Sequence, residues 1–371
     1  MTEREIVDLW KQANLLGEEV YLATVVFVEG SSYRKPGARM LVAASGRRAG
    51  TISGGCLEAE VAKKIGWLTS EGPTIQEYRS SFDDEMEGAA HGLGCGGTIW
   101  ILMEAGDRAA ATLRAIEASL VHRKSFAVMA SLRGPELGTR VTLPLDSEGE
   151  GIDEASGLPE EILEAAKLVG TTRHPCHLGM DDSVALPSLI VLPILPPLRL
   201  HVFGAGDDAV PLVRLAVELG WEAMVWDGRS HLLRQPRFPT ASLHLIRYHA
   251  FGGAEEHHDL QVVDDLPEVA ATDFAVILTH SYAQDGALLQ ALIPKNLRYL
   301  GILGPLHRTR RLLMDKVHVP GQTVEEILEK LYAPVGLEIG SYDPNTIALS
   351  ITFEIQAVLA KKQISVSAMP D

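Results

Sequence analysis

Residues 199–209 constrain the fold more than any other stretch. RLHVFG (199–204) reads as a short apolar strand, Gly204-Ala205-Gly206-Asp207-Asp208-Ala209 as a glycine turn, and Ala209–Leu219 as a helix. A strand, a Gly-x-Gly turn and a helix in that order open a βαβ unit whose turn brings backbone N–H groups up to a phosphate. The alternation continues, with strand patterns at 222–227, 274–279 and 298–303 and a helix over Ala283–Leu292. Parallel strands need helical crossovers, so this rhythm predicts a doubly wound parallel sheet of Rossmann type. Gly204 would allow the tight turn, Gly206 would remove a Cβ where a pyrophosphate approaches, and Asp227 ends the next strand, where a carboxylate can accept from a ribose diol. The three are candidate contacts for NAD(P) or another nucleotide. Asp207 and Asp208 complement the helix dipole but oppose a phosphate, so the competing reading is a turn whose glycines serve chain packing alone.

Upstream the pattern is different. Residues 3–16 place Ile6, Leu9, Trp10, Ala13 and Leu16 at helical spacing, YLATVVFVEG (21–30) reads as a buried strand, and 39–52 as a hairpin turning at Ser45-Gly46. A helix is expected to start near Cys56, with Leu57, Val61, Ile65 and Leu68 on one face. Strands are expected near 74–81, 98–104, 125–132 and 139–144, a helix over 107–121, and a loop over the acidic segment 146–160. The proline-rich run Leu192–Leu198 reads as a semi-rigid linker. The expected organisation is therefore an N-terminal α/β domain, 1–196, followed by a C-terminal Rossmann-like domain, 197–371. In the last helix Asp343 is the expected N-cap, Pro344 takes the first position, and Ile347, Ile351, Ile355 and Leu359 form the apolar stripe.

Composition narrows the function classes. An apolar share of 46% with 22% charged residues excludes wholesale disorder. A net charge of −16 repels a polyanion, so no nucleic acid is expected as partner. The longest apolar stretch, Val184–Leu198, is short for a bilayer and is interrupted by Pro187, Pro193, Pro196 and Pro197, so no membrane partner is expected. The N-terminal residues MTEREIVDLW lack a signal-peptide pattern, so a cytoplasmic protein is expected. Three cysteines without a CxxC pair indicate neither a disulfide framework nor a zinc ribbon.

The chemistry-bearing residues cluster in glycine loops of the first half. Gly30-Ser31-Ser32-Tyr33-Arg34-Lys35-Pro36-Gly37-Ala38-Arg39 ends a strand and carries hydroxyls and cations suited to an oxyanion. Ser53-Gly54-Gly55-Cys56 runs straight into a helix, where the dipole favours thiolate. Gly92-Leu93-Gly94-Cys95-Gly96-Gly97 surrounds a second cysteine with glycines, so that backbone N–H groups and a sulfur can reach one ligand together. A lone cysteine is otherwise a small buried hydrophobe, which is the competing account of Cys176 in HPCHL.

GSSYRKPGARMLV, GTISGGCLEAEV and GLGCGG, in order and followed by the GAG turn, resemble the xanthine dehydrogenase accessory (XdhC/CoxI) family. ILTHSYAQDGALLQALI, YLGILG and PVGLEIGSYDPNTIALSITFEI extend the resemblance over about 10–360. It implies a maturation factor that binds the molybdenum–pyranopterin cofactor, protects it while a cysteine desulfurase installs the sulfido ligand, and delivers it to an apo molybdenum hydroxylase. It also implies a homodimer. By motif position Ser31, Ser32, Arg39, Gly54, Gly55, Cys56, Cys95 and Gly96 are candidate cofactor contacts, with Cys56 and Cys95 as candidate metal ligands and no catalytic residue. The chain departs from the family pattern at Asp207, often His, at Pro305-Leu306, often Ser-Arg, and at Asp227-Gly228-Arg229, where the family has an Asp-Asp-Arg-like stretch.

Two other classes compete with a chaperone. One is an NAD(P)-dependent oxidoreductase using the Rossmann half, with His280 as acid/base. The other is an assembly factor that binds partner proteins and no ligand.

Overall fold

Alternate residues of the first strand serve two different cores. The strand β1 (Val20–Glu29) follows helix α1 (Glu3–Leu15) and pairs antiparallel with β2 (Arg39–Ala43), which hairpins into β3 (Arg48–Gly50). Leu22, Leu41, Ala43 and Ala49 face α1 and meet its stripe of Ile6, Leu9, Trp10 and Ala13. Ala23, Val25, Met40 and Val42 face the other way, toward Val61 and Ile65 of α2 (Glu58–Leu68). A strand buried on both sides needs no polar alternation, which is why 21–28 reads as one apolar run. Next come β4 (Thr74–Arg79), β5 (Thr98–Ala105), α3 (Gly106–His122), β6 (Ser125–Ser131), β7 (Arg140–Leu145), α4 (Glu160–Thr172), β8 (Cys176–Leu178) and β9 (Leu189–Ile194). The strands form two sheets, β3-β2-β1-β5-β4 and β7-β6-β9-β8, both antiparallel. They pack through Val26, Trp100 and Leu102 on one and Ala130, Ile190 and Leu192 on the other.

The computed structural model describes residues 3–55, 57–79, 97–145, 157–180, 186–250, 260–262, 266 and 269–360. The chain divides into two compact units, Met1–Pro196 and Pro197–Asp371. Part of the expected linker belongs to the first unit instead. Leu192, Pro193 and Ile194 lie in β9, with Pro193 opposite Ala127 of β6. The strand on the other side, β8, pairs only with 189–191, so Pro193 sits where no ladder N–H is needed.

The second unit runs β10 (Arg199–Phe203), α5 (Ala209–Glu218), β11 (Glu222–Asp227), β12 (Ser242–Leu245), β13 (Tyr248–Ala250), β14 (Leu260–Val262), β15 (Phe274–Ile277), α6 (Tyr282–Leu292), β16 (Tyr299–Ile302), α7 (Leu306–Lys316), α8 (Val324–Leu328) and α9 (Pro344–Leu359). The order β12-β11-β10-β15-β16, parallel throughout, is the Rossmann arrangement expected from the alternation. Helices α5 and α9 cover one face, with Leu212, Val213, Ile351 and Ile355 in its core. Helices α6, α7 and α8 cover the other, through Leu288, Leu289, Leu312 and Ile327. The Asp343 carboxylate accepts from the N–H groups of Asn345 and Thr346, completing a capping box on α9. No helix among the described residues is long and apolar enough to cross a membrane.

A polar chain runs through the middle of this parallel sheet. Trp226 Nε1 donates to His201 Nδ1 at 3.1 Å, and His201 Nε2 lies 3.0 Å from Asp273 Oδ2. An indole N–H only donates, so the His201 proton sits on Nε2, toward Asp273. Trp226→Phe leaves Nδ1 buried without a donor and is expected to cost about 1–3 kcal/mol. The shift in urea midpoint measures it, and an unchanged midpoint would contradict the pairing.

Candidate functional site

In the first unit the loop after β1, the Ser53–Gly55 turn and Gly97 meet at one end of the larger sheet. Gly30 turns the chain at φ +75° where β1 ends. The loop that follows exposes Ser31, Tyr33, Arg34 and Lys35 and leaves Ser32 half-buried, its hydroxyl accepting from the Arg34 N–H at 3.3 Å. Arg34 Nε reaches the Ser53 carbonyl at 3.4 Å, and the Tyr33 ring lies so close over Gly54 that a Cβ there would stand 3.6 Å from Cδ2. Gly97 presses against the same loop. A Cβ on it would enter the Ser31 carbonyl and stand 2.8 Å from the Glu29 oxygen. Gly55, at φ +117°, has nothing within 4 Å of its Cβ position, so backbone there lies open to a ligand. Ser31, Ser32, Gly54 and Gly55 are thus brought together, whereas Cys56, Cys95 and Gly96 lie outside the described residues.

Arg39 stands apart from this cluster. On β2 it shares the face of Leu41 and Ala43, toward α1, and its side chain is only 4% exposed. Nη1 donates to Glu3 at 2.6 Å, while Nε and Nη2 are buried without an acceptor among the described residues. The exposed cations of the loop are Arg34 and Lys35.

A residue passed over in the sequence holds the second loop in place. The buried Glu58 carboxylate accepts from the Thr51 and Ser53 hydroxyls, both at 2.5 Å, and from the N–H groups of Ile52 and Ser53 at 3.2 and 2.9 Å. The Ser53 hydroxyl in turn accepts from Gly55 and Leu57. Burial pushes the Glu58 carboxyl up, but the hydrogen bonds from Ser53 and Thr51 outweigh it and bring it down to about 2, against an ordinary 4.5. A serine five residues ahead of a glutamate at a helix start was the available signal, since a first-turn carboxylate can reach back to the N–H groups of the loop before it. The depressed value makes Glu58 stabilising above pH 4.5, with that contribution lost as pH falls toward 2. The expected loss is about 3 kcal/mol in wild type and absent in Glu58→Gln, read from urea unfolding across that window. Parallel pH profiles for the two proteins would contradict the knot.

In the second unit the turn after β10 is shaped by packing on one side and open on the other. Gly204, at φ +116°, lies against β15, and a Cβ would stand 2.6 Å from the Leu278 carbonyl carbon. Gly206 has nothing within 4 Å. The Asp227 carboxylate, 5% exposed, already accepts four hydrogen bonds: from the Ala205 N–H at 2.7 Å, the Arg229 N–H at 2.8 Å, Arg229 Nε at 2.9 Å and Arg229 Nη2 at 2.8 Å. Burial raises its pKa, and the Arg229 and Ala205 hydrogen bonds outweigh that and lower it. Four donors fill a carboxylate, so a ribose diol would have to displace one of them. His280 Nε2 lies 2.8 Å from Asp208, and Asp207, 91% exposed, meets Arg237 at 3.1 Å.

His177 Nε2 contacts the Val26 carbonyl at 2.8 Å, His174 Nδ1 contacts the Thr172 carbonyl at 2.6 Å, and burial pushes the Cys176 thiol up. No group of three metal-ligating side chains occurs among the described residues.

Comparison with known proteins places this geometry. A Bacillus subtilis protein named as a probable subunit of xanthine dehydrogenase is 31% identical over 360 residues, covering 94% of this chain and 95% of that one. The chain belongs to the XdhC and CoxI family. The model of that family matches residues 15–79, which hold the Ser31–Arg39 and Ser53–Cys56 loops, and the XdhC Rossmann domain matches 200–355. The molybdenum cofactor insertion chaperone PaoD of Escherichia coli is 25% identical over 356 residues, covering 96% of this chain and 88% of its own. A crystal structure titled as a xanthine dehydrogenase from Bacillus halodurans superposes with a TM-score of 0.70 at 28% identity, over 99% of this chain and 98% of that one. The XdhC and CoxI assignment thus spans both units, and the two-part α/β plus Rossmann architecture goes with it.

Proposed function

We propose that this chain is a molybdenum-cofactor chaperone. It binds the molybdenum–pyranopterin cofactor at the loop cluster of the first unit, protects it while a cysteine desulfurase installs the sulfido ligand, and delivers it to an apo-hydroxylase of the xanthine dehydrogenase type. The observation that carries the reading is the convergence of Ser31–Lys35, Ser53–Gly55 and Gly97. The relative named as a cofactor insertion chaperone, aligned along 96% of this chain, supports it.

The residues present suit such a cargo. Its phosphate needs cations and free donors, and the cluster offers exposed Arg34, Lys35 and Ser31 beside open backbone at Gly55. Its molybdenum takes soft sulfur ligands, and Cys56 and Cys95, adjoining Gly55 and two residues before Gly97, are the proposed donors. On this reading the protein works in the cytoplasm as a homodimer.

Reconstitution tests delivery. Cofactor-loaded protein, treated with a cysteine desulfurase and cysteine, is expected to restore hydroxylation by a purified apo-hydroxylase. Omitting the desulfurase is expected to abolish that gain. Equal activation by free cofactor without this chain would contradict the proposal.

A further inference from the structure

The parallel sheet reverses its order between β10 and β15, and ligands of open α/β sheets sit at the carboxyl ends of the strands beside such a switch. Here the two sides of the crevice differ. On the β10 side the glycine turn carries Asp207 and Asp208, and Asp227 is filled by four donors. On the β15–β16 side lies a cavity of about 260 Å³ lined by Thr279, His280, Asp285, Gly304 and Arg308, among others.

Arg308 reaches this cavity from α7. Its Nη2 donates to Asp285 Oδ2 at 2.7 Å, and Asp285 Oδ1 accepts from the Thr279 hydroxyl at 2.5 Å, so that carboxylate is neutralised and held. The rest of the guanidinium lies over Gly304, whose φ is +118° and whose Cβ would stand 3.4 Å from Arg308 Cδ. Arg308 Nη1 is buried with no acceptor among the described residues. An orphaned guanidinium donor is costly, so it marks a place where an acceptor is to be supplied. On the opposite wall His280 holds φ +58°, a left-handed conformation uncommon outside glycine, and pairs with Asp208 at 2.8 Å. Both carboxylates near the cavity therefore already have partners, and the unused Arg308 donor is left for an anion.

We propose that this cavity is a phosphate-group site, anchored by Arg308 with the His280 imidazole on the opposite wall, on the β15–β16 side of the crevice rather than at the glycine turn. It is independent of the cofactor site in the first unit. The phosphate can be inorganic or the end of a nucleotide, and titration calorimetry of the full-length chain with inorganic phosphate and separately with ADP distinguishes the two. Arg308→Lys keeps a cation beside Asp285 but loses the fork, and is expected to weaken both probes at least about tenfold with unchanged melting. Gly206→Ala is expected to leave inorganic phosphate within about twofold. If that variant weakens ADP alone, the ligand is a nucleotide whose second phosphate reaches the turn. Should Arg308→Lys melt early, His280→Asn, which tolerates the same backbone, is expected to weaken inorganic phosphate about threefold or more. Failure of the wild type to bind either probe overturns the proposal. So does retained affinity in Arg308→Lys, loss of inorganic phosphate in Gly206→Ala, or, in the fallback, full affinity in His280→Asn.

Discussion

Gly97→Ala is expected to lower stability by about 3–5 kcal/mol, because its methyl would stand inside the Ser31 carbonyl oxygen and 2.8 Å from the Glu29 oxygen. Both obstacles are backbone at the end of β1, so no side-chain rotation relieves the overlap. Either the β1 loop or the start of β5 must move, and each holds part of the loop cluster. At about 2–4 °C per kcal/mol for a unit of this size, the melting temperature should fall by roughly 6–20 °C. The variant should also retain less cofactor than its residual folded fraction allows, since the loops no longer meet. Gly55→Ala is the contrast within the cluster: open space surrounds it, so only the φ of +117° opposes the change. A Gly97→Ala protein that melts like wild type would contradict the convergence of the loops.

Gly204→Ala is expected to be as damaging in the second unit. Its φ of +116° is left-handed, and the methyl would lie 2.6 Å from the Leu278 carbonyl carbon and 3.0 Å from the Thr279 nitrogen. Strain and overlap together are expected to cost about 3–5 kcal/mol. Gly206→Ala, two residues on, meets nothing within 4 Å and should melt within about 0.5 kcal/mol of wild type. Urea denaturation of the two variants side by side checks the contrast. Equal losses would mean that the turn is not seated against β15 as described.

Those two glycines also show which features were readable in the sequence. Strand, turn and helix around 199–219 are local signals, and their order predicts a parallel sheet before any contact is known. The N-cap of α9 was equally readable, because Asp343 and Pro344 act within one turn. What separates Gly204 from Gly206 is the neighbouring strand β15, some seventy residues away, which no local pattern shows. The same limit applies to Asp227. Its position at the end of β11 suggested a free acceptor, and only the fold brings the Ala205 N–H onto it. The direction of Arg39 was readable as well, since strand parity with Leu41 and Ala43 points its side chain toward α1. The prolines near 193–197 suggested a linker, and β9 takes Pro193 out of it through its pairing with β6. Helix α4, following the acidic segment 146–160, was not anticipated at all.

Molybdenum and pterin content, measured on the full-length protein purified from a host that makes the cofactor, tests the central claim most directly. Arg34 and Lys35 are exposed, and replacing both with alanine removes the loop's cations without touching a core. The account predicts molybdenum and pterin in equal molar amounts in the wild type, and loss of both from Arg34→Ala/Lys35→Ala with unchanged melting. A wild-type protein that holds neither, or a double variant that holds as much as the wild type, would contradict it.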